Sequence, residues 1–176
     1  MRWFGAPTAA IDWLEYPAFA GRIGMTRCPG LWTRPSALAE DIAAIRAEGA
    51  TALVSLTELE ELRVLGLDTL AEAATRRRLT WYHLPIRDFD VPDAAFEAKW
   101  RKVGPELRER LVAGESIVVH CYAGLGRTGL VVARLLVEFG EEPARAIGWV
   151  RRVRPGAIQT LEQESHVLGL RPETGG

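Results

Sequence analysis

One ten-residue segment, His120-Cys121-Tyr122-Ala123-Gly124-Leu125-Gly126-Arg127-Thr128-Gly129, constrains this chain more than any other. The run that leads into it, Ser116-Ile117-Val118-Val119-His120, is short and β-branched, as in a central parallel strand covered on both faces. The run from Gly129 to Phe139 is long and apolar enough for a buried helix. The segment is therefore expected at the carboxyl end of a strand and the amino end of a helix, where α/β sheets place ligands. Free N–H groups and the positive end of a helix dipole make that position an anion site. Gly124 and Gly126 allow the backbone to curl so that successive N–H groups point inward. The same field favours a thiolate at Cys121.

Cys121 and Arg127 are separated by five residues. That spacing puts a nucleophile and a planar two-donor fork around one bound anion. The expected anion is a phosphoryl group. Tyr122, Ala123, Gly124, Leu125, Gly126 and Arg127 would supply its donors, and Thr128 would set its hydroxyl near the sulfur. Other readings of these letters are weaker. Gly124, Gly126 and Gly129 satisfy a dinucleotide fingerprint. That fingerprint needs a second strand ending in an acid about twenty residues on. Glu141-Glu142-Pro143 followed by an apolar helical period reads as another helix instead. A nucleotide P-loop needs Lys-Ser or Lys-Thr after the glycines, and none follows. A purely structural cysteine would not require Arg127 and both glycines. A sulfurtransferase can hold a cysteine in such a loop, but it has no use for the acid described below.

With 176 residues the chain is expected to form one domain over 1–176 with a sizeable core. A net charge of −1 gives no reason to expect a nucleic-acid partner. The clusters Arg76-Arg77-Arg78 and Arg151-Arg152-Val153-Arg154 are read as solvated helix ends. Two distant cysteines argue against a disulfide framework and for a reducing cytoplasm. Cys28 is read as a loop residue. Arg134 interrupts the longest apolar run, so no membrane insertion is expected, and the first residues lack a secretory apolar stretch.

The first 18 residues read as an irregular lead-in. Strands are predicted at 19–26, 51–56, 80–86 and 116–120, and helices at 36–48, 68–77, 93–112, 129–139, 143–153 and 160–168. Thr57-Glu58-Leu59-Glu60 is a capping-box pattern for a further short helix. Strands alternating with helices imply an α/β fold with a mostly parallel, four- to five-stranded sheet flanked by helices.

A thiolate attacking a phosphate ester expels a basic oxygen, which needs a proton from a positioned acid. Asp88, Asp90 and Asp93 lie in one candidate loop; Asp93 also reads as a helix N-cap. Asp88, which follows the third predicted strand, is the preferred acid. Gln159 and Gln163 are candidates for orienting the water of a second step. His120 is read as support for the loop, His83 as a satisfied strand residue and His166 as helix surface. No cofactor and no metal are needed for this chemistry.

Together, Cys28-Pro29-Gly30, His83-Leu84-Pro85-Ile86 followed by Asp88, Pro92-Asp93, His120 to Gly129, and Gly156-Ala157-Ile158-Gln159-Thr160 resemble the dual-specificity protein phosphatases of the cysteine-dependent superfamily, their kinase-associated type most closely. The resemblance spans most of the chain. It implies a four- or five-stranded sheet and two-step hydrolysis through phosphocysteine without metal, with Asp88 as acid and a phosphorylated protein or peptide as partner. The chain departs at Arg87-Asp88-Phe89-Asp90, where the relative has glycines after the acid. A phosphoinositide or small-molecule phosphatase, or a silent phosphate-binding module, are the alternatives.

Overall fold

The computed structural model describes residues 9–31 and 37–172. In chain order the elements are β1 (Asp12–Leu14), β2 (Ile23–Thr26), α1 (Ala37–Ala47), β3 (Ala50–Ser55), α2 (Leu59–Val64), α3 (Leu70–Arg76), β4 (Thr80–His83), α4 (Ala94–Val112), β5 (Ser116–His120), α5 (Gly126–Glu138), α6 (Pro143–Val153) and α7 (Leu161–Leu168). The strands form one sheet in the order β1-β2-β5-β3-β4. β1 pairs antiparallel with β2; the other neighbours are parallel. This is the predicted α/β architecture.

β5 is the middle strand, and all five of its residues are buried. Its side chains alternate between two cores. Ile117 and Val119 join α4, α5, α6 and α7 through residues such as Phe96, Leu107, Leu130 and Val150. Val118 joins α1 and α3 through Ile42, Ile45 and Leu70. Covering both faces explains why the sequence there is continuously apolar. Each such buried apolar side chain stabilises the fold by roughly 1.5–3 kcal/mol, so the strand that carries the loop is firmly anchored.

Several expectations are corrected. The lead-in is not wholly irregular, because Asp12–Leu14 forms an edge strand. The next strand begins at Ile23 rather than at Phe19, whose ring packs on Tyr16 and Phe139 instead. β4 stops at His83, two residues before Pro85, which cannot donate to a ladder. The helix expected at 68–77 spans Leu70–Arg76. The predicted start at Ser36 lies outside the described residues. The capping box is shifted by one residue: Glu58 is the N-cap of α2, and Glu61 accepts from its N–H at 2.7 Å. α5 begins at Gly126, not Gly129, so Arg127 and Thr128 stand in its first turn.

Candidate active site

Cys121 follows β5 directly and is almost fully buried. The loop after it is shaped by where its carbonyls go. Cys121 O meets His120 Nδ1 at 3.1 Å. Tyr122 O accepts from Cys28 N at 2.9 Å. Ala123 O and Gly124 O both accept from the Arg154 guanidinium, which is anchored in turn on Asp12 at 2.7 Å. Leu125 O accepts from Gly129 N at 2.9 Å and Ile158 N at 3.1 Å. With five successive carbonyls drawn outward, the N–H groups of Tyr122, Ala123, Gly124, Leu125 and Gly126 turn to the concave side. There they converge with the start of a 13-residue helix, a strong anion site.

Gly124 has φ +71°, and a Cβ there would lie 2.1 Å from Thr26 O, so only glycine fits. At Gly126 a Cβ would come 2.8 Å from Gln159 Oε1 and 2.9 Å from Gln163 Oε1. Both predicted glutamines thus reach the loop, but they differ. Gln163 is buried, accepts from Gln159 N and Thr160 N, and donates to Asp90 O at 3.2 Å. It ties the start of α7 to the acid-bearing loop. Gln159 is exposed, its amide at the loop's rim.

The Arg127 side chain is buried and heavily engaged. Nη1 donates to Glu61 Oε2 at 2.7 Å and to Ile86 O at 2.9 Å. Nη2 donates to Glu61 Oε1 at 2.9 Å and lies 3.0 Å from Asp88 Oδ1. Burial alone would lower the Arg127 pKa; the Glu61 carboxylate, with the charges of Cys121 and Asp88, outweighs it and holds the guanidinium charged. Its Nε is buried without a partner among the described residues, as are the hydroxyls of Thr128 and of Thr57, which follows β3. Buried donors of this kind are costly unless a ligand meets them.

Of the three candidate acids, only Asp88 touches the guanidinium. Asp90 turns its carboxylate to Val91 N at 2.8 Å, and Asp93 caps α4 by accepting from Phe96 N at 2.8 Å. Asp88 does not directly follow a strand as expected. It sits in a tight turn closed by Asp90 N and Arg87 O at 3.0 Å, with Phe89 at φ +60°. Glycines at these positions, as in the family that the sequence resembles, would relieve that left-handed strain.

His120 bridges Ser55 Oγ at 2.6 Å and Cys121 O, and Trp81 Nε1 donates to the same hydroxyl at 2.8 Å. Complete burial pushes the His120 pKa down to about 4, so the ring is neutral. His83 meets Thr57 O at 2.8 Å, a satisfied strand residue as expected. His166 is not surface; its Nε2 is buried. In the cluster Arg151-Arg152-Val153-Arg154, Arg152 is exposed as expected, but Arg151 and Arg154 are not solvated helix-end residues. Arg151 binds Ala157 O, Ile158 O and Glu164, holding the Gln159 turn against the site. Glu61 and Arg154 are the site residues that sequence reasoning missed. The capping pattern at 57–60 pointed within one residue of Glu61, and nothing in the sequence pointed to Arg154.

Comparisons with known proteins agree with this geometry. The profile of the family described as "Tc-R-P: Polymorphic toxin system, DSP-PTPase phosphatase" matches residues 24–141, well over half of the chain. The chain belongs to this phosphatase family. It is 32% identical over 134 residues to cyclin-dependent kinase inhibitor 3 of Rattus norvegicus, covering 65% of this chain and 62% of that protein. It is 51% identical over 102 residues to protein tyrosine phosphatase PRL-1 of Trypanosoma cruzi, covering 57% of each. The chain thus spans less than two thirds of the length of these relatives. A crystal structure of kinase-associated phosphatase, with its catalytic-site cysteine changed to serine, superposes with a TM-score of 0.81 at 26% identity, covering 92% of this chain and 93% of that one.

Proposed function

We propose that this protein hydrolyses phosphotyrosine monoesters on proteins or peptides through a phosphocysteine intermediate, with phosphoserine and phosphothreonine esters as further substrates of the same site. One observation carries the reading: five outward carbonyls leave a ring of inward N–H groups around a cysteine, and a buried arginine with one unpaired N–H faces the same anion site. The incoming phosphoryl group takes the Arg127 Nε–H and the Nη2–H that Asp88 holds in the free protein. Asp88 is thereby released to carry a proton. Cys121 Sγ forms a bond to phosphorus as the ester P–O bond breaks, and the Asp88 carboxyl protonates the departing oxygen. Negative charge building on the phosphoryl oxygens meets Arg127 and the loop N–H groups, which are already in place. In the second step water attacks phosphorus, Asp88 takes its proton, and the P–S bond breaks. Gln159 orients that water, and the Thr128 hydroxyl donates to the leaving thiolate. Gln163 acts through the acid loop it holds.

Arg127 and the helix dipole supply the positive charge this transfer needs, so the proposed reaction uses no metal. The relatives' kinase names belong to the relatives; for this chain the supported substrate is a phosphorylated protein. Among the described residues no helix is long and apolar enough to cross a membrane, and the two free cysteines suit a cytoplasmic setting. The test is hydrolysis of p-nitrophenyl phosphate in EDTA. Wild-type protein should turn over, and Cys121→Ser should be inactive yet still bind vanadate, because a serine hydroxyl stays protonated at neutral pH. Undiminished turnover by Cys121→Ser would overturn the mechanism.

A further inference from the structure

Among the described residues seven large apolar side chains are exposed: Leu59, Val64, Phe89, Val112, Tyr122, Leu161 and Leu168. Four of them stand on the chain segments that build the phosphate site. Leu59 stands two residues before Glu61, which grips Arg127. Phe89 follows Asp88, which touches the same guanidinium. Tyr122 is in the loop itself. Leu161 stands two residues after Gln159, whose amide reaches the space beside Gly126. These four are between 42% and 80% exposed. They come from four different chain segments, and the sheet topology brings those segments to one end of the molecule. Apolar side chains exposed on each of the segments that build the site mark a recognition surface rather than scatter.

The charges among them have one sign. Every charged residue immediately adjacent in sequence to these four is an acid: Glu58 and Glu60 beside Leu59, Asp88 and Asp90 beside Phe89, Glu162 beside Leu161. All five are exposed. The cations nearest to them in sequence are Arg87, and Arg63, which is paired with Glu60 at 2.7 Å; in space Arg127 meets Asp88 at 3.0 Å, and Arg154 holds the Ala123 and Gly124 carbonyls. So a cationic phosphate pocket sits inside an apolar and acidic rim.

Resting on the phosphatase reading, we infer that the preferred substrate is a phosphorylated polypeptide carrying apolar and basic side chains beside the phosphorylated residue. The buried Arg127 Nε, without a partner among the described residues, fixes the phosphate. The apolar quartet then takes hydrophobic neighbours, and the acids attract lysine or arginine while repelling further phosphates. An anionic membrane surface has the wrong charge for this rim, as does a multiply phosphorylated inositol.

The experiment compares kcat/KM on three phosphotyrosine peptides of equal length, flanked by Leu/Arg, by Leu/Glu or by Gly/Ser, each normalised to p-nitrophenyl phosphate, with vesicles containing a phosphoinositide as a fourth substrate. The Leu/Arg peptide should lead the Leu/Glu peptide by about tenfold, and the gap should narrow as salt is raised. Glu162→Lys should shrink that gap, and Leu161→Ser should bring the Leu/Arg peptide toward the Gly/Ser peptide. Equal rates on all three peptides, a lead for Leu/Glu, or vesicles outpacing every peptide would each overturn the inference while leaving phosphatase action intact. If p-nitrophenyl phosphate itself is not hydrolysed, the phosphatase reading fails and the inference falls with it.

Discussion

Helix α5 carries two arginines seven residues apart, the buried Arg127 and the partly exposed Arg134, and they behave differently. Seven residues is two turns, so both lie on nearly the same face. Each is gripped at both terminal nitrogens by one glutamate: Arg127 by Glu61, Arg134 by Glu97 at 2.6 and 2.9 Å. At Arg134 the rest of the group is also satisfied. Its Nε donates to Glu138 at 3.0 Å, and the Trp100 ring stacks 4.8 Å from the guanidinium. Glu138 is shared with Trp100 Nε1 and Arg108, which joins α4 to α5. Among the described residues, the Arg127 Nε has no partner and no ring covers it, and one of its acids, Asp88, is half-exposed in a strained turn. A saturated arginine holds helices together. An unsaturated one is kept charged and aimed, with a contact it can exchange.

The strongest test of that difference is the exchangeable contact. If Asp88 leaves Arg127 to act as acid, Asp88→Ala should slow hydrolysis of phenyl phosphate by roughly 10²–10⁴. An ester with an easily expelled leaving group should be much less affected, because it needs little protonation. Asp93→Ala should cost about 1 kcal/mol of stability through its lost cap, without leaving-group dependence. Rate profiles against leaving-group pKa separate the two. A leaving-group-dependent loss in the Asp90 or Asp93 variant instead would move the acid and leave the Cys121–Arg127 pair standing.

The next test exchanges the arginines themselves. Arg127→Lys keeps charge but loses the planar fork, so kcat should fall at least about a hundredfold while the melting temperature stays close to wild type. Arg134→Met should do the opposite. It strands Glu97 and Glu138, but Glu97 reaches solvent and Glu138 keeps Arg108 and Trp100, so the cost should be about 2 kcal/mol, below the usual range for a broken buried pair. For a chain of this size that is a drop of roughly 4–8 °C. Turnover per folded molecule should remain. Calorimetry with steady-state kinetics on both variants decides it, and matching profiles would erase the distinction drawn here.

What could be read in the sequence follows the range of each interaction. Cys121, the loop glycines and Arg127 are contiguous, and their chemistry is local, so they were legible together. The apolar runs of β5 and α5 placed them on a strand and a helix. Asp88 could be proposed because the reaction demands an acid, but three aspartates met that demand, and only the 3.0 Å contact with Arg127 distinguishes one. Glu61 was out of reach because its partner is 66 residues away and its own surroundings look like an ordinary cap. Arg154 was misread for a related reason. A helix-end arginine is already explained by the dipole, and nothing local reveals the two loop carbonyls it holds. β1 escaped because three residues carry too little alternation to register.

The smallest expected effect compares the histidines that serve the two arginines. His120 supports the phosphate loop, and burial pushes its pKa down to about 4. His166 lies beside the Arg134 network, its pKa lowered first by burial and then by Arg134; burial also lowers His83. A histidine kept neutral by folding binds its proton more readily in the unfolded chain, so the unfolded state holds more protons below the ordinary histidine range. Stability is then complete above about pH 6.5 and is lost as pH falls toward 4. From His120 alone the loss between pH 7 and pH 5.5 should be about 1 kcal/mol. Urea unfolding at both pH values should show this slope in the wild type and most of it removed in His120→Gln, whatever that variant's stability at pH 7. His166→Gln should retain the greater part. If His166→Gln flattens the slope and His120→Gln does not, the acid-sensitive point of the fold lies at the saturated arginine and not under the phosphate loop.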